Sequence, residues 1–438
     1  MSNHGPSRVP SQANPEVLIL GGGVAGLWSL QALVARGYDA VLIEIAALGQ
    51  GQTIASQGIL HAGTKYALSG HAAQASKQAA RAAAIWHGCL NGQHERREQH
   101  AAAHEPPAPD LSGTRVLAPI MHMFTTPGAG SRLTGLVASK ALTIGPRKLE
   151  RTALPGLFAD APSGVDVYEL AEPVLDTGSL LKTLAGLMHN RIFAAHQINV
   201  SRHDGAITVA CTGEEGDITL CPQALVLTAG AGNEALIDAL DLASTIRMQR
   251  RPLHMVYARN PDPSQPLPEI FAHCVGMSDK PRATITSHPD NQGRTVWNIG
   301  GQIAETGLDH SREHQIRVTS KNLTKMLPWI DLREAQWASN PIDRAEGHRL
   351  DGSRPDLPVV HAQDNVIACW PTKLVLAPLA AGLVCGAIDS MAIAQAHTQA
   401  DLPASMPSVP ANGQRIPLPK ADIAVEPWNR KDMRWSGT

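Results

Sequence analysis

Residues 16–44 read EVLILGGGVAGLWSLQALVARGYDAVLIE. Glu16 to Leu20 is a short apolar run that ends on glycine, as a buried strand would. Gly21-Gly22-Gly23-Val24-Ala25-Gly26 follows. Leu27, Leu30 and Leu33/Val34 then recur at helical spacing as far as Arg36, and Gly37 supplies a C-cap glycine. Asp39 to Ile43 is a second apolar run and closes on Glu44. Strand, turn, helix and strand fit in about 30 residues, the size of a dinucleotide-binding unit.

Gly21, Gly23 and Gly26 satisfy G-x-G-x-x-G in the context that gives this motif meaning, after a strand and opening a helix. The first glycine permits a tight turn. The second lets backbone approach a pyrophosphate at the positive end of the helix, where Val24 and Ala25 lie, and the third allows close helix–strand packing. Glu44 stands 18 positions beyond Gly26, placed to accept from adenosine ribose hydroxyls and to repel a 2′-phosphate. NAD and FAD share this fingerprint, and three features favour FAD. No second G-x-G-x-x-G marks a separate pyridine-nucleotide domain. A late buried strand, Ala224–Thr228, runs into the small residues Ala229, Gly230, Ala231 and Gly232. The chain also returns near its C-terminus to an apolar strand and helix, as needed to enclose an isoalloxazine ring.

The rest of the composition narrows the class. At 438 residues the chain has room for two or three domain-sized units. Its 37 basic and 39 acidic residues leave a formal charge of −2, which argues against a nucleic-acid binder. No run of 18 apolar residues occurs, so no transmembrane helix is expected. Met1 to Pro15 is polar, with Pro and Gly. It reads as a disordered leader without the apolar core of a secretion signal, and a cytoplasmic location is expected. The six cysteines form no C-x-x-C pair and lie mostly in apolar surroundings, as reduced buried thiols do.

Along the chain, Ala72–Leu90 is helical in pattern, as is Leu180–His189 after a plausible N-cap at Asp176. Arg115–Thr126, Gly135–Thr143 and segments of Ile198–Thr212 read as strands, the last with a turn at Asp204-Gly205. Beyond Arg247 the pattern turns strand-like at Pro252–Ala258, Arg282–Ser287 and Thr295–Ile299. Glu313–Leu327 reads as a helix and Val366–Cys369 as a last strand. About Ala377 to Ala394 reads as a small-residue helix, and Leu402–Trp428 as a Pro-rich tail extended over the surface. His94, Glu98, His100 and His104 have metal-like spacing, but within HERREQHAAAH they read better as a solvated helix face, and no metal is assigned.

Together these residues resemble the D-amino-acid oxidase superfamily of FAD-dependent oxidoreductases. Gly51-Gln52-Thr53 and Ser56-Gln57-Gly58-Ile59-Leu60-His61-Ala62-Gly63-Thr64-Lys65-Tyr66 are similar to the flavin-side loop of the L-2-hydroxyglutarate oxidase and glycerol-3-phosphate dehydrogenase branch. Gln57 and Thr64-Lys65 depart from the hydroxyglutarate pattern. Gly347-His348-Arg349 and Arg354-Pro355-Asp356-Leu357-Pro358 resemble a second family element. The resemblance implies an α/β fold. In it a Rossmann-like FAD-binding domain (16–114, 165–245 and 345–397) interleaves with an α+β substrate domain on a mostly antiparallel sheet (115–164 and 246–344), leaving 398–438 as the tail. It implies non-covalent FAD contacted by Gln52, Thr53, Ser56, Gln57, Gly58, Ile59, Ala229, Gly230, Thr372, Lys373 and Leu374. Cys369 sits in a buried-looking strand where a covalent flavin link is not expected.

Oxidation of a C–H beside OH or NH moves a hydride equivalent to flavin N5, and charge develops near N1 and C2=O. Pro371-Thr372-Lys373, at the start of the last helix, offers backbone N–H groups and an ammonium for that charge. A carboxylate or phosphate on the substrate needs a cation, for which Arg349 and Arg354 are the first candidates and Arg282 another. His61 is the preferred proton acceptor, ahead of His348 and His288. Trp297 and Trp370 could wall the pocket or fill the core. The expected activity is oxidation of a small hydroxy acid or amino acid, with oxygen, a quinone or a carrier protein as electron acceptor. A flavin monooxygenase and a non-catalytic flavin-binding accessory protein are the competing readings.

Overall fold

The computed structural model describes residues 11–61, 73–93, 108–126, 147–276, 280–391, 393 and 415–437. Two sheets organise the chain. The first has six strands in the order Val359–Gln363, Val366–Trp370, Ala224–Leu227, Val17–Leu20, Ala40–Glu44 and Ile192–Ala194. All neighbours are parallel except the first pair. Its central strands are continuous apolar runs because both faces are covered. Val17 and Ile19 face a core built with the helices Val24–Ala35, Thr177–Leu187 and Ala377–Ser390, while Leu18 and Leu20 face the hairpin Gln197–His203/Ala206–Thr212. The helix Val24–Ala35 is buried almost all round, as a helix without a polar face must be. Trp28 meets Trp86 edge-on at 4.6 Å, and the Trp86 indole N–H donates to the Val375 carbonyl at 3.0 Å.

The second sheet has eight strands, in the order Gln336–Ile342, Leu253–Arg259, Thr295–Gly300, Ala283–Pro289, Phe271–Val275, Met121–Thr125, Val167–Leu170 and Arg147–Lys148. Only the Phe271–Val275/Met121–Thr125 pair is parallel. One face is closed by the helix Arg312–Met326, whose N-cap Ser311 accepts from the His314 N–H. The mixed α/β architecture agrees with the fold class read from the sequence.

Several local expectations change. Ser11–Ala13, expected inside a disordered leader, forms a strand parallel to Ile218–Leu220, and Ala13 is buried. Arg115–Thr126 divides into Val116–Ala118 and Met121–Thr125, which pair in different sheets. Val167–Leu170, placed with the cofactor domain by the sequence, belongs to the antiparallel sheet. The tail does not merely lie over the surface. Ile423 bridges to Leu48, Ser436 bridges to Trp337, and Trp428 is buried against Tyr257 and His288. Gly135–Thr143 and the cluster His94, Glu98, His100 and His104 lie outside the described residues.

Other assignments agree. Asp176 caps Thr177–Leu187 by accepting from the Ser179 N–H at 2.8 Å. Asp204 and Gly205 both take positive φ in the hairpin turn, as a two-residue turn of this type requires.

Candidate active site

The C-terminal ends of three parallel strands converge at Gly21, Glu44 and Ala229, the crevice where open α/β sheets bind ligands. Gly21 has φ +107°, and a Cβ there would stand 2.5 Å from the Ala229 Cα. A Cβ on Gly26 would come within 2.0 Å of the Gly21 carbonyl oxygen. Protein packing therefore demands both glycines. Gly23 is different, because its Cβ would meet only Thr53 Oγ1 at 3.4 Å. The packing leaves that face of the turn open to a group brought from outside.

Gly23 is the N-cap of the first helix and has no side chain of its own to cap it, and the positive end of the helix looks into the crevice. The Val24 N–H donates to Thr53 Oγ1 at 3.2 Å. Glu44 accepts from the N–H groups of Gly22 at 2.6 Å, Ile45 at 2.9 Å and Ala46 at 3.0 Å. A carboxylate has about four acceptor positions, so about one remains for a ribose hydroxyl. These features fit the adenosine diphosphate half of a dinucleotide.

The loop 51–61 carries the chain from that crevice to the antiparallel sheet. Gln52 Oε1 accepts from the Ala345 N–H at 3.1 Å, and Ser56 donates to the Thr53 carbonyl at 2.9 Å. Gly58 has φ +71°, and a Cβ there would lie 2.0 Å from the Leu175 carbonyl oxygen. Ile59 then bridges to Val174. Gln57 reaches the other sheet and donates to two of its carbonyls, those of Thr284 and Asn298. Ala229 and Gly230 lie across from this loop, with the Trp370 indole N–H donating to the Gly230 carbonyl at 3.3 Å. Thr372 holds a positive φ of 65°, and its hydroxyl donates to the Leu357 carbonyl. Half-buried Lys373 precedes the short turn Leu374–Leu376 and then the last helix, Ala377–Ser390.

Against the eight-stranded sheet lies a cavity of about 460 Å³ lined by residues that include His61, Glu172, Arg251, His273, Lys280 and Arg354. His61 and Arg354, both singled out in the sequence, meet here. Arg349 does not: it is exposed, bonded to Asp351, and its backbone is held by Gln249. His348 is exposed too. His288 is buried in the antiparallel sheet, hydrogen-bonded to Thr286 and pushed down to about 4 by burial. Arg282 packs beside Gly276 and is not a lining residue. Trp297 and Trp370 are core side chains, and Trp297 donates to the Pro268 carbonyl.

The cavity is rich in cations. Glu305 lies 2.9 Å from the Lys280 ammonium and 3.7 Å from the guanidinium groups of Arg251 and Arg344. Arg251 also meets buried Glu346 at 3.5 Å. Arg354 makes no ion pair or hydrogen bond among the described residues. Burial, followed by the charge of Arg251, pulls its pKa below the usual guanidinium value. Arg344 is pulled down to about 10 by the same two causes.

Opposite these cations, Glu172 Oε2 is 3.0 Å from His61 Nδ1 and 3.7 Å from His273 Nε2. Burial opposes ionisation of Glu172, yet the two imidazoles outweigh it and hold the carboxyl far below the ordinary range. The three ligand atoms of His61, Glu172 and His273 lie within 4.8 Å of one another, a set that could also hold a metal ion. Neither Glu172 nor His273, nor Arg251 or Lys280, was singled out in the sequence. No spacing links Glu172, in a turn between strands, to His273, on a strand about a hundred residues later.

Residues 16–385 match the sequence model of a family described as FAD dependent oxidoreductase. The probable FAD-dependent oxidoreductase PA4991 of Pseudomonas aeruginosa is 38% identical over 383 residues, covering 87% of this chain and 92% of that protein. Its crystal structure aligns with a TM-score of 0.74 over 96% of this chain and 99% of that one. A glycine oxidase from Geobacillus kaustophilus, 15% identical, shares the fold with a TM-score of 0.59 over 86% of this chain and 95% of its own.

Proposed function

This chain belongs to the FAD-dependent oxidoreductase family, and on that footing we propose that it oxidises a small amino acid or hydroxy acid carrying a free carboxylate. One observation carries the substrate class: Arg354 lines the cavity without an ion pair among the described residues, in a wall that already holds Arg251 and Lys280. The Arg354 guanidinium is half-buried and feels the charges of Glu346, Asp356 and Glu305, but none of them fills its fork of donors, and a substrate carboxylate can do so through two parallel hydrogen bonds.

FAD, when bound, supplies the two-electron acceptor. Gly21, Gly23, Val24, Ala25, Gly26 and Glu44 would hold its adenosine diphosphate half. Gln52, Thr53, Ser56, Gly58, Ile59, Ala229, Gly230, Thr372 and Leu374 would hold the remainder, and the Lys373 ammonium would offset negative charge on its reduced form. Gln57 and Gly58 would fix the loop that separates cofactor from substrate.

Arg354 fixes the carboxylate and so orients the neighbouring carbon. His61 removes the proton from the substrate nitrogen or oxygen, at the ring nitrogen not bonded to Glu172. Cys369 is fully buried, and burial pushes its thiol up to about 12, which supports a non-covalent cofactor. The six free thiols suit the cytoplasm.

The test is anaerobic mixing of the FAD-loaded protein with neutral amino acids, their amides and 2-hydroxy acids. Bleaching by an acid but not by its amide supports the reading. Equal bleaching by acid and amide removes the carboxylate requirement.

A further inference from the structure

The polar groups behind His61 form a chain that runs from Thr284 through His273 to Glu172. Thr284 Oγ1 is 2.8 Å from His273 Nδ1. If that hydroxyl donates, the His273 proton sits on Nε2 and points to Glu172 Oε2, at 3.7 Å. Glu172 is acceptor-only when ionised, so His61 Nδ1 must carry a proton to fill its 3.0 Å contact. The backbone of Thr284 is held in turn, because its carbonyl accepts from Gln57 Nε2 at 2.9 Å. Loop, turn and strand thus converge on one carboxylate. The Glu172 side chain is 3% exposed, that of His273 is 9% exposed, and that of His61 is 34% exposed at the cavity wall.

We propose that Glu172 is a positioning residue that holds His61 as the Nδ1–H tautomer and so makes Nε2 its basic nitrogen, with His273 keeping the carboxylate in place from the other side. This rests on the reading of His61 as proton acceptor. A buried carboxylate among imidazoles is seldom a net gain in stability over apolar packing. Setting a tautomer at a cavity wall gives it a chemical purpose.

The proton balance is simple. The proton leaving the substrate nitrogen or oxygen moves to Nε2, Nδ1 keeps its own, and the resulting imidazolium faces a carboxylate that is already ionised. The imidazolium then returns the proton to water as product leaves. The same atoms could instead ligate a divalent metal. The cations Arg251, Lys280 and Arg354 in the same cavity oppose a further positive charge.

The tautomer is read directly by nitrogen-15 NMR of the FAD-loaded wild-type protein labelled at histidine, with His61→Gln identifying the signal. A protonated Nδ1 and a lone-pair Nε2 are expected for His61 above its titration. The opposite tautomer, or shifts of a metal-bound ring with stoichiometric metal retained through dialysis, overturns the proposal.

Anaerobic flavin reduction by a substrate of the wild type then separates the two claims. Glu172→Gln is expected to slow it by about 10–100-fold at neutral pH. It is also expected to move the acid limb of the rate profile down by about one unit, because the neighbouring negative charge is gone. Glu172→Asp is expected to recover part of the rate, and it decides the matter if the Gln variant does not fold. If His61→Gln slows reduction while the folded Glu172 variants keep the wild-type rate and pH profile, the positioning role is wrong and the base survives. If His61→Gln itself keeps the rate, both fall.

Discussion

Gln57 Nε2 donates at once to the Thr284 carbonyl at 2.9 Å and the Asn298 carbonyl at 2.8 Å. One side chain thereby pins the loop leaving the parallel sheet to two neighbouring strands of the antiparallel sheet. Glycine at 300 leaves room for that seat, since a Cβ there would lie 2.8 Å from Gln57 Oε1. Gln57→Leu removes both hydrogen bonds and is expected to cost about 1–3 kcal/mol. Thermal melting of the FAD-loaded protein checks this, and faster release of flavin on dilution is expected with it. An unchanged melt and release rate would mean that the loop is held by other contacts.

The three motif glycines are expected to fail in different ways. Gly26→Ala places a methyl group 2.0 Å from the Gly21 carbonyl oxygen, so the helix must move and the apo-protein is expected to melt lower. Gly23→Ala meets only Thr53 Oγ1 at 3.4 Å and is expected to melt like wild type without cofactor. It is nonetheless expected to bind FAD at least about tenfold more weakly, the cost of a misfit pyrophosphate contact. Paired melts and flavin titrations would show the two effects separating. Equal losses of stability in both apo variants would contradict this account of the turn.

Arg354→Ala is expected to raise KM for an amino or hydroxy acid by about 10–100-fold, since a charge-assisted hydrogen bond contributes about 1.5–3 kcal/mol. Arg354→Lys is expected to fall between, because it keeps the charge and loses the fork. Arg349→Ala serves as the control. Its side chain is exposed and paired to Asp351 outside the cavity, and KM should not move. Steady-state kinetics of the three variants decide the point.

His288 gives a pH dependence whose sign is fixed by burial. Its folded value is pushed down to about 4 from 6.5, so the folded protein holds it neutral. The unfolded chain binds the extra proton between those values. The stabilising contribution is therefore complete above about pH 6.5 and is lost as pH falls towards 4, by up to about 1.4 kcal/mol per unit. Denaturant midpoints at several pH values should fall less steeply for His288→Asn than for wild type over that window. Parallel curves would remove His288 as the cause.

The parallel half of the fold was legible because local signals agree there. Apolar runs, the glycine turn and helical spacing all fall within residues 16–44. Glu44 could be named for the same reason, at the end of the next strand, whereas Thr53 and Gly58 were named only through the family resemblance of their loop. Apart from His61 and Arg354, the cavity wall was not legible. Glu172 sits in a short turn with no periodicity, and His273 lies in the buried strand Phe271–Val275. Sheet pairing alone brings them to His61. Arg349 and Arg354 had equal claims in sequence, and only the turn between them separates one that faces solvent from one that lines the cavity. The strand Ser11–Ala13 escaped notice because its polar, Pro-flanked residues resemble a tail until Ile218–Leu220 supplies an open edge.

The most direct measurement is an anaerobic titration of the purified, yellow FAD-loaded protein with a panel of small amino and 2-hydroxy acids, followed at the flavin absorption band. The account expects at least one free acid to bleach the flavin stoichiometrically while its amide does not, with Arg354→Ala shifting the titration to higher concentration. A flavin that no such acid reduces, but that NADH bleaches readily, would contradict it.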